Sequence, residues 1–217
     1  MKKNARRVVL FIVAIPVLIG IILWIVLRIE RNRDRSRPQM YELTQDELGS
    51  LRSGDIVLRM GYGIVSTLLE NSSGSMGVSH CGILTGESPG FMVIHSISSD
   101  LADEDGVQEC TLSDFLRGAK PGSFAAVRCR VAGNDGIMRH AARYLERRVP
   151  FDMLFDIRDS SKIFCSELIY LSVLNASGYP IFDREKMDFH FAAFFDGTLF
   201  QPVIDHRARG GKAEKVK

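Results

Sequence analysis

The sequence lacks the features that would direct it to redox, metal or nucleic-acid chemistry. Its four cysteines form no CxxC pair and show no spacing typical of a metal site: Cys81, Cys110, Cys129 and Cys165. Residues 38–206 hold fourteen Lys and Arg against twenty-three Asp and Glu, so this part lacks the positive charge that a nucleic-acid surface needs. We therefore expect no cofactor, no metal and no nucleic-acid partner. Whether one disulfide forms among the first three cysteines stays open.

Charge is also absent from one long stretch near the N-terminus. Residues 8–27, VVLFIVAIPVLIGIILWIVL, contain no charged side chain. As a helix rising about 1.5 Å per residue they would span roughly 30 Å, the hydrocarbon thickness of a bilayer. The run is longer than the apolar part of a signal peptide, and no small-x-small cleavage site follows it. The sequence thus predicts an uncleaved transmembrane helix at 8–27, after a basic N-terminus at 1–7.

The residues around this run predict how the chain is organised. Four Lys and Arg precede it and five follow within residues 28–37, so the positive-inside rule does not decide the orientation. A short N-terminus before a single span most often leaves the remaining chain outside the cytoplasm. We therefore expect a single-pass protein of the inner (cytoplasmic) membrane with an extracytoplasmic domain. Residues 28–43 are predicted to be a linker, 44–206 the folded domain and 207–217 a basic disordered tail.

Within the domain, local patterns predict short helices and strands. Residues 44–47, TQDE, match a capping box, and residues 111–114, TLSD, form a second cap-like sequence. Apolar runs predict strands over 55–60 and 124–131. A helix is expected over 134–148, before a proline that ends it.

Two β-rich runs, 78–84 and 91–97, are separated by six turn-forming residues and predict a hairpin. If the pairing is symmetric about the turn, His80 and His95 are direct cross-strand partners on one face, with Cβ atoms roughly 4.5–5.5 Å apart. Alternation along the strand sends Cys81 to the opposite face, as a core residue.

A helix is predicted over residues 163–174, with Cys165 in or next to its first turn. The positive end of a helix favours the thiolate, which is the nucleophilic form of cysteine. On this stretch alone, a buried and inert cysteine is the competing interpretation. The two histidines favour a nucleophilic Cys165, because one imidazole could take its proton while the second imidazole orients the first. We assign His80 as the base and His95 as the orienting residue.

Six short motifs together resemble the permuted papain-like hydrolases of the YiiX/YebB group, in the NlpC-type cysteine peptidase superfamily. In chain order they are Gly54–Val57, Ser79–Ile83, Val93–His95, Thr111–Phe115, Pro150–Asp152 and Phe164–Leu168. The resemblance implies an α+β, circularly permuted papain-like fold, with an antiparallel sheet packed against the helix that bears the cysteine. It also implies Cys165 as nucleophile, His80 as base and His95 as the third member, where relatives often carry Glu.

The function implied is a membrane-anchored cysteine hydrolase that cleaves a peptide or isopeptide amide through a thioester, with cell-wall peptide as the expected substrate. A lipid amidase or acyltransferase using the same residues is the alternative. A non-catalytic domain is the third hypothesis, either a binding module or a zinc site built from His80, His95 and Cys165. The choice between hydrolysis and acyl transfer, and the oligomeric state, stay open.

Overall fold

The computed structural model describes residues 14–22, 24–26, 28–29, 38, 41–62, 66–67, 69, 76–99, 104–159, 161–183 and 190–207. The chain divides into two compact units, Met1–Ser36 and Arg37–Lys217. All the described residues up to 29 are helical. Among the residues described, no helix has the length and apolar character needed to cross a membrane. The predicted span lies partly outside the described residues, and so do the basic N-terminus, most of the linker and nearly all of the tail.

The second unit is built on a six-stranded sheet in which every neighbouring pair is antiparallel. Its strands are β1 (Ile56–Arg59), β2 (His80–Thr85), β3 (Met92–Ile97), β4 (Gly106–Thr111), β5 (Ala125–Cys129) and β6 (Phe200–Asp205). Their spatial order is β4-β3-β2-β1-β5-β6. The mixture of this sheet with helices confirms the predicted α+β class.

The two edge strands, β4 and β6, were not predicted. The sequence of β4, GVQECT, contains little apolar surface, and β6 includes a proline at position 202. Both features are typical of edge strands, which pair on one side only and tolerate polar residues and proline. Their assignment therefore depends on the neighbouring strand and not on a local apolar pattern.

Four α-helices of this unit have both ends within the described residues: α1 (Gln45–Ser50), α2 (Leu112–Arg117), α3 (Asn134–Glu146) and α4 (Cys165–Ser177). A 3₁₀ helix follows at Phe191–Phe195. Thr44 and Glu47 form the predicted capping box at the start of α1, and Thr111 caps α2 by accepting from the Asp114 N–H. These local predictions are confirmed because the capping side chains and the groups they bond lie within one turn.

The two faces of the sheet bury two separate apolar clusters. Helices α3 and α4 cover one face, named here the α4 face, and α1 and α2 cover the other, the α2 face. Strand residues on the α4 face include Ile56, Leu58, Cys81, Ile83 and Ile94. Those on the α2 face include Val57, Leu84, Val93 and Ala126. Because side chains alternate along a strand, consecutive residues of β2 point to opposite helices.

The β2–β3 hairpin has a different register from the one predicted. Ile83 lies opposite Ile94, and Thr85 lies opposite Met92. Continued along the strands, this register places His95 opposite Gly82. The predicted direct pairing of His80 with His95 is therefore wrong, and the two are diagonal neighbours. The physical reason is that β-branched Thr85 extends β2 instead of entering the turn. The shift is an even number of residues, so both histidines still share one face.

Candidate active site around Cys165

Cys165 is the first residue of α4, as predicted. The preceding residue, Phe164, has an extended backbone with φ −94° and ψ 171°, and its side chain makes no cap hydrogen bond. The N–H groups of the first turn are therefore not used by a capping side chain, and they face the start of the helix. The Cys165 side chain is buried, with 8% of its surface exposed.

Hydrogen bonds bias Cys165 toward the thiolate. Hydrogen bonding from the neighbouring Cys81 thiol is the main cause that lowers the pKa of Cys165. Backbone N–H groups of Cys81, Ser166 and Cys165 itself act in the same direction, while burial opposes them. Burial raises the pKa of Cys81 well above its usual range. Cys165 therefore ionises first, and Cys81 stays protonated as the donor.

The two histidines form a separate cluster on the α2 face. His80 Nε2 and His95 Nδ1 are 2.8 Å apart, so one ring donates a hydrogen bond to the other. Phe115 of α2 contacts both rings, stacking on His80 at 5.7 Å between centroids and meeting His95 edge-on at 6.1 Å. Both imidazoles are buried. This cluster is a packed interior group.

Burial and a neighbouring cation keep these imidazoles neutral. Arg59 lies opposite His80 in the β1–β2 ladder, and its guanidinium is 5.0 Å from the centre of the Phe115 ring. Burial, and then the charge of Arg59, lower the pKa of His80 well below its usual range. The same two causes lower the pKa of His95 to about 3. His95 Nε2 is buried and has no hydrogen-bond partner among the described residues.

The structure therefore brings His80 and His95 together, but it does not bring them to Cys165. Their rings lie on the α2 face of β2, and the sulfur lies on the α4 face. Within the described part of the chain, no hydrogen bond joins Cys165 to either imidazole. Cys81 connects the two groups, because it follows His80 in the strand and contacts Cys165. The catalytic roles assigned to Cys165, His80 and His95 therefore stay predictions.

Sequence reasoning assigned no function to Cys81, which interacts with Cys165, or to Asp152, which bonds the backbone of Ile163 two residues before Cys165. Asp152 is 2% exposed, and its N–H donates to the Ile163 carbonyl at 3.4 Å. Its Oδ1 accepts from the Leu154 N–H at 2.9 Å, while Oδ2 is buried without a hydrogen-bond partner in the described residues. The Pro-Phe-Asp motif was the available signal for Asp152. Alternation alone placed Cys81 in the core, and only the packing of α4 shows its contact with Cys165.

The described residues include no group of three His, Cys, Asp or Glu side chains arranged to hold a metal ion. The ligand set considered for zinc, His80, His95 and Cys165, is divided between the two faces of the sheet. All four cysteines are free thiols, so the structure contains no disulfide among Cys81, Cys110 and Cys129.

Comparison with known proteins gives a distant structural likeness. No family profile and no curated protein matches the chain. Among solved structures, the crystal structure of metalloprotein YiiX from Escherichia coli O157:H7 matches over 62% of this chain and 71% of its own, with 18% identity and a TM-score of 0.49. This likeness fits the YiiX group indicated by the motifs, but at such values it carries no argument about activity. Fold and site together define an α+β protein with a buried cysteine at a helix start.

Proposed function

We propose that this protein is a membrane-anchored cysteine hydrolase with a permuted papain-like fold, in which Cys165 attacks an amide carbonyl. One observation carries the proposal: Cys165 begins α4, where backbone N–H groups and the Cys81 thiol lower its pKa. A thiolate at a helix start is the usual activated form of a catalytic cysteine. The motif order along the chain supports the fold, and the uncharged run at residues 8–27 supports the anchor.

The reaction proposed has two steps. The Cys165 sulfur adds to the carbonyl carbon, the C–N bond breaks, and the amine leaves with a proton, which produces a thioester. Water then attacks the thioester and releases the acid with the free thiol. The oxyanion of each step would accept hydrogen bonds from the N–H groups of Cys165 and Ser166 at the start of α4.

His80 and His95 enter this proposal as base and orienting residue. The 2.8 Å contact between their rings suits the orienting role, because it holds one imidazole against the other. His80 is also the first residue of β2 and precedes Cys81, which contacts the nucleophile. To act as a base, its ring must reach the α4 face around the start of the strand, since a base works within hydrogen-bond reach.

The proposed substrate is a peptide or isopeptide amide, with cell-wall peptide expected if the domain is extracytoplasmic. The test is alkylation by iodoacetamide at neutral pH, followed residue by residue with mass spectrometry, together with turnover of peptide amides. Cys165 should react faster than Cys110, because burial raises the pKa of Cys110 to about 12. Equal rates at the two thiols, together with full turnover by Cys165→Ala, would end the proposal.

A lipid amidase or acyltransferase is the second candidate, and one observation favours it. Met153 and Leu154 are exposed on the loop that leads into α4. Incubation with phospholipid vesicles should then leave an acyl adduct on Cys165, visible by intact mass. Turnover of peptide amides without such an adduct decides for the first candidate.

A further inference from the structure

Two free thiols meet at the interface between β2 and α4. Cys81 lies on the α4 face of β2, in the same buried apolar cluster as Cys165. Hydrogen bonding links both the Cys81 thiol and the Cys81 backbone N–H to the Cys165 sulfur. The proposed reaction uses Cys81 only as a donor, and a thiol is a weak hydrogen-bond donor. What a thiol adds over other donors is a second sulfur within reach of the first.

The backbone on both sides of this contact is held by the sheet. Cys81 lies opposite Leu58 in the β1–β2 ladder. Cys165 follows Ile163 by two residues, and the Ile163 carbonyl accepts a buried hydrogen bond of 2.6 Å from Ser96 Oγ of β3. The strands therefore position both sulfurs. A disulfide, with its S–S bond of about 2 Å, can form between two sulfurs that are already in contact without a change of fold.

The two thiols differ in the way that a stepwise oxidation requires. The pKa of Cys165 is lowered, and the thiolate is the form that attacks an oxidant. Burial raises the pKa of Cys81 well above its usual range. Cys81 is fully buried, whereas Cys165 keeps 8% of its surface exposed. The first oxidation should therefore fall on Cys165, and Cys81 is placed to react second.

We propose that Cys81 and Cys165 form a reversible disulfide when the protein meets a peroxide, and that this bond switches the hydrolase off. The inference rests on the proposed function, because it assigns a regulation to the same nucleophile. The proposed reaction requires an amide carbonyl to reach the Cys165 sulfur, and a peroxide is a smaller molecule. Once bonded to Cys81, the Cys165 sulfur is no longer a thiolate that can attack a carbonyl.

The oxidation balances in two steps. The Cys165 thiolate attacks one oxygen of hydrogen peroxide, so that an S–O bond forms, the O–O bond breaks and the leaving hydroxide takes a proton from solvent. The sulfur is oxidised to a sulfenic acid, and the peroxide is reduced to water. The Cys81 sulfur then attacks the Cys165 sulfur, the S–S bond forms and the S–O bond breaks. The hydroxyl group leaves with the Cys81 proton as water.

The test treats the full chain with hydrogen peroxide at neutral pH, unfolds it in urea with iodoacetamide to block the remaining thiols, and maps the products by mass spectrometry. In the wild type, the Cys81 and Cys165 peptides should be joined, with the loss of two hydrogen atoms. Turnover of a peptide amide should fall by at least about tenfold and return to within about twofold after dithiothreitol. Cys110→Ala is the matched control and should behave as the wild type, because Cys110 packs on the α2 face.

Cys81→Ser tests the second sulfur. Serine keeps a hydrogen-bond donor of similar size but cannot form the disulfide, so peroxide should carry Cys165 of this variant on to the sulfinic or sulfonic acid. Its loss of turnover should persist after dithiothreitol. Circular dichroism checks that the variant is folded.

Each outcome decides a different part. Sulfinic or sulfonic acid at Cys165 in the wild type, with Cys81 recovered as an alkylated thiol, overturns the thiol pair and leaves the hydrolase standing. A disulfide from Cys165 to Cys110 or Cys129, or to a second copy of the chain, overturns the pair as well. A joined pair in a protein that turns over no amide even when reduced supports the disulfide and overturns the hydrolase that it would regulate.

Discussion

The two faces of the sheet favour different charge states in the ionisable groups that they bury. On the α4 face, a helix start and a neighbouring thiol favour negative charge on Cys165. On the α2 face, burial and Arg59 keep His80 and His95 neutral. The residues that separate the two environments, His80 and Cys81, are consecutive in β2. Strand alternation therefore places consecutive residues of one strand, His80 and Cys81, in environments that favour different charge states.

This difference means that the thiolate does not need an imidazole in order to form. The donors to the Cys165 sulfur are the Cys81 thiol and backbone N–H groups. The histidines, by contrast, pack against Phe115, so truncating this ring should mainly affect stability. Variants of the groups that donate to Cys165 should therefore change its alkylation, and truncation of the ring packed on the histidines should change unfolding.

The largest expected effect belongs to Cys165, the proposed nucleophile. Cys165→Ala should lower kcat/KM by at least about a thousandfold, because it removes the atom that forms the covalent intermediate. Steady-state kinetics with a peptide amide measures this. Cys110→Ala, on the other face of the sheet, should retain near-normal activity. A loss of less than about tenfold in Cys165→Ala would contradict the assignment of the nucleophile.

Phe115→Ala should strongly lower the free energy of unfolding, because it disrupts the packing on the α2 face. It removes a fully buried ring that contacts both imidazoles, and such truncations cost about 3–5 kcal/mol. Urea denaturation measures the change in the free energy of unfolding. The alkylation rate of Cys165 in the folded variant should stay the same. If alkylation falls in parallel with stability, the two faces are not independent.

The lowered pKa of His95 should make the free energy of unfolding depend on pH. Because the pKa of His95 is about 3 in the folded protein, the unfolded chain binds this proton first, below about pH 6.5. Its contribution to stability is thus complete above pH 6.5 and is lost as pH falls toward 3, at up to about 1.4 kcal/mol per pH unit.

Urea denaturation at several pH values tests this dependence. Since carboxylates also titrate in acid, His95→Gln is the matched comparison. Its stability should fall less steeply than that of the wild type between pH 6.5 and 4. Parallel slopes for the two proteins would show that His95 is not held neutral by the fold.

The smallest effect is expected at Cys81. Cys81→Ala removes the S–H donor to Cys165, so the pKa of Cys165 should rise and its alkylation at neutral pH should slow by about threefold to tenfold. The pH dependence of the iodoacetamide rate measures this shift. Cys110→Ala is the control and should leave the profile unchanged. If the alkylation rate of Cys81→Ala has the same pH dependence as the wild type, the N–H groups at the helix start, and not the Cys81 thiol, lower the pKa of Cys165.

Much of the local structure could be predicted because its determinants are close in sequence. The Thr44 and Thr111 caps, the hairpin and the helix that begins at Cys165 all depend on residues within a few positions. The edge strands β4 and β6 could not be predicted in this way, because their pairing partners supply the signal. The hairpin register was missed by two residues, since whether Thr85 belongs to the strand or the turn depends on its bond to Met92 across the ladder.

The sequence alone determined that a cysteine begins a helix and that two histidines share one face of a hairpin. Capping, periodicity and strand alternation are local properties, and they act wherever the segment lies. Only the tertiary structure decided which face α4 covers, and so which side chain of β2 meets Cys165. That choice follows from the apolar residues of several strands together, because the helix packs where their combined surface is buried.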